Sequence, residues 1–488
     1  MTFASFYQRL TITLKQLTHE KRDPSLFEQP TSKADGLPGS TESYGLHAGA
    51  LGAAETLAQS ISATAPSTSS SLTIPLVFAL AGNGTWLIYL IATSAILLVG
   101  FCIGRFARMS ASPGSLYSYT AQTLPPVFGV LAAWALLLAY LATGASVAGG
   151  ALYYVNLLSH QFLHRAPPTL LTLGLVCGLA GYIAFRDVKL SAEVMLWIEV
   201  ASVVMVVTVL VALMVKVGIH VDMDQLSLKG VHFSALGPAL VLSIFSFVGF
   251  ESATTLGAEA RNPLRSIPRA VLQCAILSGM FFILCSYSEV LGFHGVPTNL
   301  AETSSPLHLL AAKAGVTPLG VGIDVGALIS MFACVLACAT AAARVILRMS
   351  HARLLPRGLQ LTNRLHGTPG VAIMISSILM FAATSFMAWR GIPGFDIYDL
   401  AGSLSVFGFL TVYALVALAV PFAERSLGRA SARIALVCVI TVLVIVMIAA
   451  YDIRSSSDIV HARIPYLFLA YLVAGLAVYF SRRMARQS

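Results

Sequence analysis

The groups able to do chemistry are few, and the most telling are acids set in apolar surroundings. Glu251 stands inside FSFVGFESATTLGAEARNP, residues 245–263. Glu199 lies mid-way along the apolar run 188–217, three residues before Ser202, with no Lys or Arg in the core of that run. In lipid a carboxylate costs about 2.5 kcal/mol or more unless it is paired or neutralised. Glu251 can therefore carry a proton or meet a cationic group on a ligand. The bland alternative is a structural carboxylate that hydrogen-bonds the frayed ends of a broken helix. Glu199 is a second candidate for relaying a proton or cation. Glu55, four residues before Gln59, is expected to face the cytoplasmic vestibule, and Glu193 reads as a solvated or snorkelling group nearer the inner surface.

Two stretches are wrong for simple membrane helices. Residues 60–71 read SISATAPSTSSS, six Ser and two Thr around Pro66. Proline lacks an N–H and clashes with the preceding turn, and the freed backbone groups must then line protein or water rather than lipid. Gly249 weakens the second stretch just before Glu251. Paired interruptions at corresponding places in two halves of a chain point to a transport site. An unwound segment within the hydroxyl cluster 60–71 exposes backbone N–H groups, and the half-helix that follows turns its positive end toward them, which suits a carboxylate. Carbonyls from Phe245 to Val248 suit an ammonium group. Together the breaks fit a zwitterion such as an amino acid, provided the two helices meet. Ordinary kinks are the alternative, and they leave Glu251 without a reason.

The elements that must position these residues are membrane spans. Of 488 residues, 57% are hydrophobic and 10% charged, against roughly 25% charged in a soluble domain. Mean hydropathy is +0.82. A span needs roughly 20 apolar residues. Twelve candidates follow: 47–80, 84–106, 126–157, 168–185, 188–217, 233–259, 266–293, 321–349, 368–389, 395–421, 432–450 and 463–481. With both termini in the cytoplasm, 23 of the 30 Lys and Arg residues fall inside, the asymmetry that orients membrane proteins. An odd number of spans would scramble that split. The net charge of +9 is spread over short loops rather than basic runs with interleaved aromatics, which argues against nucleic acid as a partner.

Other chemistry is thinly represented. The seven cysteines all lie in apolar runs without zinc spacing, and read as small hydrophobes. Phosphate-binding, HExxH and Cys/His metal patterns are absent, so neither an enzyme, a metal nor a cofactor is expected. Residues 1–46 are polar, without the apolar core of a signal peptide. They read as a disordered cytoplasmic tail, with a short amphipathic helix over Phe3 to Leu17 as an alternative. Glu259, Arg261 and Arg265 near Asn262-Pro263 read equally as a gate or as solvated charges.

The stretch FSFVGFESATTLGAEARNPLRSIPRAV, 245–271, resembles the sixth-helix signature of the amino acid–polyamine–organocation permeases. ASPGSLYSYT, 111–120, resembles the re-entrant stretch after their second helix, and ATAAARVILRMSHARLLP, 339–356, the end of their eighth. Order and spacing agree over about 47–484. The resemblance implies an all-α membrane protein with a LeuT-like five-plus-five inverted repeat: helices 1–5 over 47–217, helices 6–10 over 233–421, and two further helices over 432–484. Helices 1 and 6 would be broken, with alternating access between them. It implicates Ser62 to Ser67 for a substrate carboxylate, Phe245, Val248 and Gly249 for its amine, Phe245 as an aromatic gate, and Glu251 in sensing protons or substrate. The usual first-helix Gly-Ser-Gly-type motif is replaced here by ATAPSTSSS. The expected protein is a plasma-membrane permease for amino acids or related amines, working among membrane lipid, proton-coupled or exchanging. A transporter-fold nutrient receptor without flux, or a carrier of another small organic cation, are the alternatives.

Overall fold

The computed structural model describes residues 44–186, 188–218, 221–231, 236–363, 366–455 and 460–487. The expected N-terminal tail, apart from its last few residues, and the amphipathic helix over Phe3 to Leu17 lie outside the described residues. So does the side chain of Glu193.

Among the described residues the chain is all-helical, with no sheet and two isolated bridges. The helices are α1 Ala53–Thr64, α2 Ile74–Ala81, α3 Thr85–Ala107, α4 Ser115–Thr123, α5 Pro126–Leu163, α6 Thr169–Arg186, α7 Val188–Val217, α8 Leu236–Phe245, α9 Pro263–Phe293, α10 Pro306–Ala314, α11 Thr317–His351, α12 Gly370–Trp389, α13 Gly394–Ser426, α14 Ala432–Ser455 and α15 Ile464–Gln487. Proline punctuates this order. Pro126, Pro263 and Pro306 each open a helix, where the missing N–H costs nothing because first-turn N–H groups have no partner within the helix.

Among the described residues ten stretches are long and apolar enough to cross a membrane. One of them, Ala53–Ala107, runs for 55 residues. Continuous helix of that length would measure about 80 Å, far more than the roughly 30 Å of bilayer hydrocarbon. It is interrupted at Ala65–Pro66 and again at Gly82, whose φ of 52° and ψ of −128° suit glycine. The expected sixth span, 233–259, is not one helix. α8 stops at Phe245, and the chain resumes as a 3₁₀ turn over Ser252–Leu256.

α5 and α11 form the centre. α5 packs along α13 and α11, and α9 packs along α3. The apolar windows of α5 and α11 are 67% buried, that of α14 only 22%. Trp197, Leu175, Met280, Leu443 and Val473 are exposed on the outer helices, the pattern expected where lipid covers the apolar surface. Three threonine hydroxyls inside the bundle are satisfied locally: Thr64, Thr93 and Thr143 each donate to the carbonyl four residues back. All seven cysteines are buried and unbridged.

Candidate functional site

The first break is made by Ala65. It adopts a left-handed conformation with φ 46°, a strain of roughly 1–2 kcal/mol for a residue with a Cβ, and Pro66 disfavours the α conformation in the residue before it. Its N–H still closes α1 onto Ile61 O at 2.9 Å. A short helical piece, Pro66–Thr68, and a wide turn, Ser69–Thr73, then lead into α2. Residues 62–73 are all buried.

The second break lies against the first. Gly249 has φ 97°, and a Cβ there would come within 2.6 Å of Ala63 Cβ and 2.8 Å of its carbonyl. Only glycine allows this approach. Ser252 Oγ donates to Gln59 O at 3.0 Å, and Ala253 N–H donates to Ser60 Oγ at 3.1 Å. The condition set by the sequence, that the two broken helices meet, is fulfilled around Ala63 and Gly249. Cys334 of α11 adds a thiol that donates to Ala63 O at 3.2 Å.

The candidate residues do not all converge on one point. Ser67 N–H and Oγ both donate to one oxygen of the Glu199 carboxylate, at 2.9 and 2.8 Å. Glu199 thus sits at the positive start of the helical piece after the break, where an acid is stabilised. One of the donors expected for a ligand carboxylate is therefore held by the protein's own acid. Ser62 Oγ is buried without a partner, and Thr64 Oγ1 also lies 3.5 Å from Cys274 Sγ. Phe245 lies edge-on to Tyr398 of α13 with ring centroids 5.3 Å apart. The Tyr398 hydroxyl shares a 2.7 Å hydrogen bond with Thr73, so one aromatic pair ties α8, α13 and the turn after the first break. Val248 is buried, and its N–H bonds Phe245 O at 3.1 Å.

Glu251 is fully buried. Tyr140 of α5 donates to one carboxyl oxygen at 3.0 Å and Tyr413 of α13 to the other at 2.7 Å. Phe409 packs against both rings. The segment beyond Glu251 is fastened to the expected re-entrant stretch: Thr254 hydrogen-bonds Ser115 of α4, and a Cβ on Gly257 would come within 2.5 Å of Ser112 N.

A family model described as "Amino acid permease" matches residues 59–456. The chain belongs to the amino acid permease family. The permease is 24% identical over 355 residues to the branched-chain amino acid permease BcaP of Bacillus subtilis, covering 69% of this chain and 74% of that one. It is 27% identical over 272 residues to the low-affinity putrescine importer PlaP of Escherichia coli, covering 54% and 57%. It is 23% identical over 325 residues to cationic amino acid transporter 1 of Arabidopsis thaliana, covering 63% and 52%. The chain is thus a multi-pass membrane transporter.

Several partners in this permease escape a reading of sequence alone. Glu259 is buried and bound by Arg344 of α11 through two hydrogen bonds of 2.6 and 2.7 Å, while Arg261 and Arg265 are exposed. Arg344 also donates to Thr340 O at 2.9 Å. Leu51, just before α1, exchanges backbone hydrogen bonds with Glu259 O and Arg261 N–H, so the chain leading into the first break is stitched to the chain leaving the second. Tyr140 and Tyr413 left one signal: a tyrosine inside an apolar span needs a partner for its hydroxyl. Glu55 is half-buried in the first turn of α1. Among the described residues no group of three His, Cys, Asp or Glu could hold a metal.

Proposed function

We propose that this permease is a secondary transporter that carries an amino acid or related amine across the plasma membrane by alternating access, coupled to protons or to exchange. The observation that carries the reading is the meeting of two helix breaks at Ala63 and Gly249. Around that crossing, Ser62, Thr64 and the carbonyls from Phe245 to Val248 supply polar groups of the kind a zwitterion needs. Counting Ala53–Ala81, Thr85–Ala107 and the broken stretch from Leu236 to Leu256 as separate crossings gives twelve spans. They divide into a five-plus-five repeat over 47–217 and 233–421, two helices over 432–484, and both termini in the cytoplasm.

The charge balance of the interior favours an amine on the substrate. Glu199 and Glu251 are buried beside the breaks. Arg344, the fully buried basic side chain among the described residues, is consumed by Glu259. A cationic group entering this space meets acceptors, whereas a carboxylate finds the Ser67 donors already engaged by Glu199. Glu251 is the candidate for the coupling proton, its carboxyl held by two tyrosines rather than by a fixed cation. Rocking of one helix bundle against the other opens the crossing to each side in turn.

The test is uptake by the purified protein in liposomes, with a pool of labelled amino acids and amines, with and without an inward proton gradient. Uptake of one class raised by the gradient supports proton coupling, and uptake only into preloaded vesicles means exchange. No flux, with binding retained, would replace the transporter by a receptor. Glu251→Gln is expected to leave the protein folded and to flatten the pH dependence of uptake. Normal uptake with an unchanged pH profile removes Glu251 from the coupling.

A further inference from the structure

Glu289 lies in α9, four residues before its end at Phe293, and is fully buried. Neither of its carboxyl oxygens meets a hydrogen-bond partner, and among the described residues no Lys, Arg or His pairs with it. Its titratable neighbours are Tyr89 of α3, Tyr154 of α5 and, one turn back on α9, Cys285. From the other elements packed on α9, Lys313 of α10 spends its ammonium on the carbonyls of Gly292 and His294, at 2.8 Å each. Glu199 of α7 is held by Ser67, and Glu55 of α1 sits at that helix's opening turn.

A carboxylate ion buried without donor or counter-ion costs several kcal/mol even after the protein relaxes. The neutral acid avoids that cost and leaves only an ordinary unsatisfied polar group. We propose that Glu289 is a proton-binding site of this permease, separate from Glu251 and loaded from the side of the membrane that carries residues 294–302.

Two features make the site exchangeable. A surface cavity of about 260 Å³ is lined by Val290, Phe293, His294 and Asn299, so water comes close to the neighbouring residues of the same helix end. Tyr89, beside Glu289, shares its hydroxyl with Ser246 Oγ at 3.0 Å, and Ser246 follows directly on Phe245 at the end of α8. When the broken helix moves and Ser246 withdraws, the Tyr89 hydroxyl is released to donate to Glu289. The carboxyl then gives up its proton to water and remains as a hydrogen-bonded carboxylate. In this proposal proton loading is linked to the position of α8 through Ser246, and the charge that changes is that of Glu289.

The experiment needs no substrate. Infrared spectra of the full-length protein in liposomes are recorded across a pH series for wild type, Glu289→Gln and Glu251→Gln. The expected result is a component of the protonated-carboxyl band in wild type that fades as pH rises, is missing in Glu289→Gln and remains in Glu251→Gln. A band identical in wild type and Glu289→Gln overturns the proposal. So does one that never fades at the most alkaline pH the protein tolerates, since that marks a permanently neutral structural acid. If Glu289→Gln does not fold, Glu289→Asp keeps the carboxyl and must shift the midpoint of the band; an unshifted midpoint overturns the assignment. Because the readout is the proton itself, failure here leaves the substrate reading untouched, and failure of uptake leaves this one standing.

Discussion

The ion pair between Glu259 and Arg344 offers the most quantitative test of this structure. Both side chains are at most 2% exposed, and the guanidinium grips the carboxylate with two parallel hydrogen bonds of 2.6 and 2.7 Å. Removing one partner strands a buried charge, which costs about 3–5 kcal/mol. Replacing both by apolar side chains of similar size removes the charge problem and is often close to neutral. Glu259→Met and Arg344→Met are therefore each expected to destabilise by about 3–5 kcal/mol, and the double variant to recover most of that loss. In a chain of this length each kcal/mol moves the melting temperature by about 1–2 °C, by extension of the size scaling. The single variants should melt about 3–10 °C below wild type in detergent, read by intrinsic fluorescence, and the double variant within about 3 °C of it. The reasoning is refuted if the single variants melt with wild type, or if the two losses simply add, because additive losses mean the groups do not interact.

Two further outcomes follow from the geometry. Gly249→Ala adds backbone strain of about 1–3 kcal/mol and a Cβ 2.6 Å from Ala63 Cβ, so uptake should fall at least about tenfold. Gly295→Ala, also at positive φ but facing open space, carries the strain alone, and equal losses in the two variants would disprove the close crossing. Outside the membrane, burial pushes the Asp222 carboxyl up. Hydrogen bonds from the side chain and backbone of Gln225, the nearby His294 and the backbone of Asp224 outweigh it and hold the group below the ordinary carboxylate range. A lowered folded-state value means that the stabilisation is complete above the unfolded value of about 3.9 and is lost as pH falls through the folded one. Asp222 caps the short helix Met223–Leu226; Asp222→Asn keeps a capping oxygen but forfeits the charge assistance of its hydrogen bonds and should cost about 1 kcal/mol at neutral pH, and the melting difference from wild type should close below about pH 4; a constant gap at all pH values would contradict it.

The helices were legible because apolar length and proline punctuation are local properties. The expected limits 84–106, 168–185 and 188–217 differ by a residue or less from Thr85–Ala107, Thr169–Arg186 and Val188–Val217. Both breaks were legible for the same reason, through Pro66 and Gly249. Partners were not, because they come from far along the chain. Glu251 meets Tyr140 and Tyr413, 111 and 162 residues away. Glu199 was read beside Ser202 and lies on Ser67, 132 residues away. Glu259 had two arginines within six residues and chose Arg344, 85 residues on, because α11 presents its guanidinium inside the bundle where no water competes. In CSYSEVLGF, Glu289 reads as a polar group close to a span's end.

Four buried acids, Glu259, Glu199, Glu251 and Glu289, differ in what faces them, and that difference ranks what their amides should do. Glu259 faces a guanidinium, so Glu259→Gln leaves a cation in the interior and should lose about 3–5 kcal/mol. Glu199 receives a backbone N–H and a hydroxyl, and Glu251 two phenols. An amide keeps one carbonyl acceptor and forfeits the charge assistance of those bonds, about 1.5–3 kcal/mol for a bond to a charged group against about 1 for a neutral one. Their Gln variants should therefore lose about 1–2 kcal/mol. Glu289 receives nothing, and as a neutral acid it differs from an amide chiefly in which atoms go unpaired. Glu289→Gln should melt within about 2 °C of wild type even though it abolishes the proton site. The order of melting temperatures, Glu259→Gln lowest and Glu289→Gln highest, separates this account from one in which every buried acid is ionised. In that case Glu289, the acid with least support, would gain most from losing its charge, and Glu289→Gln would melt several degrees above wild type.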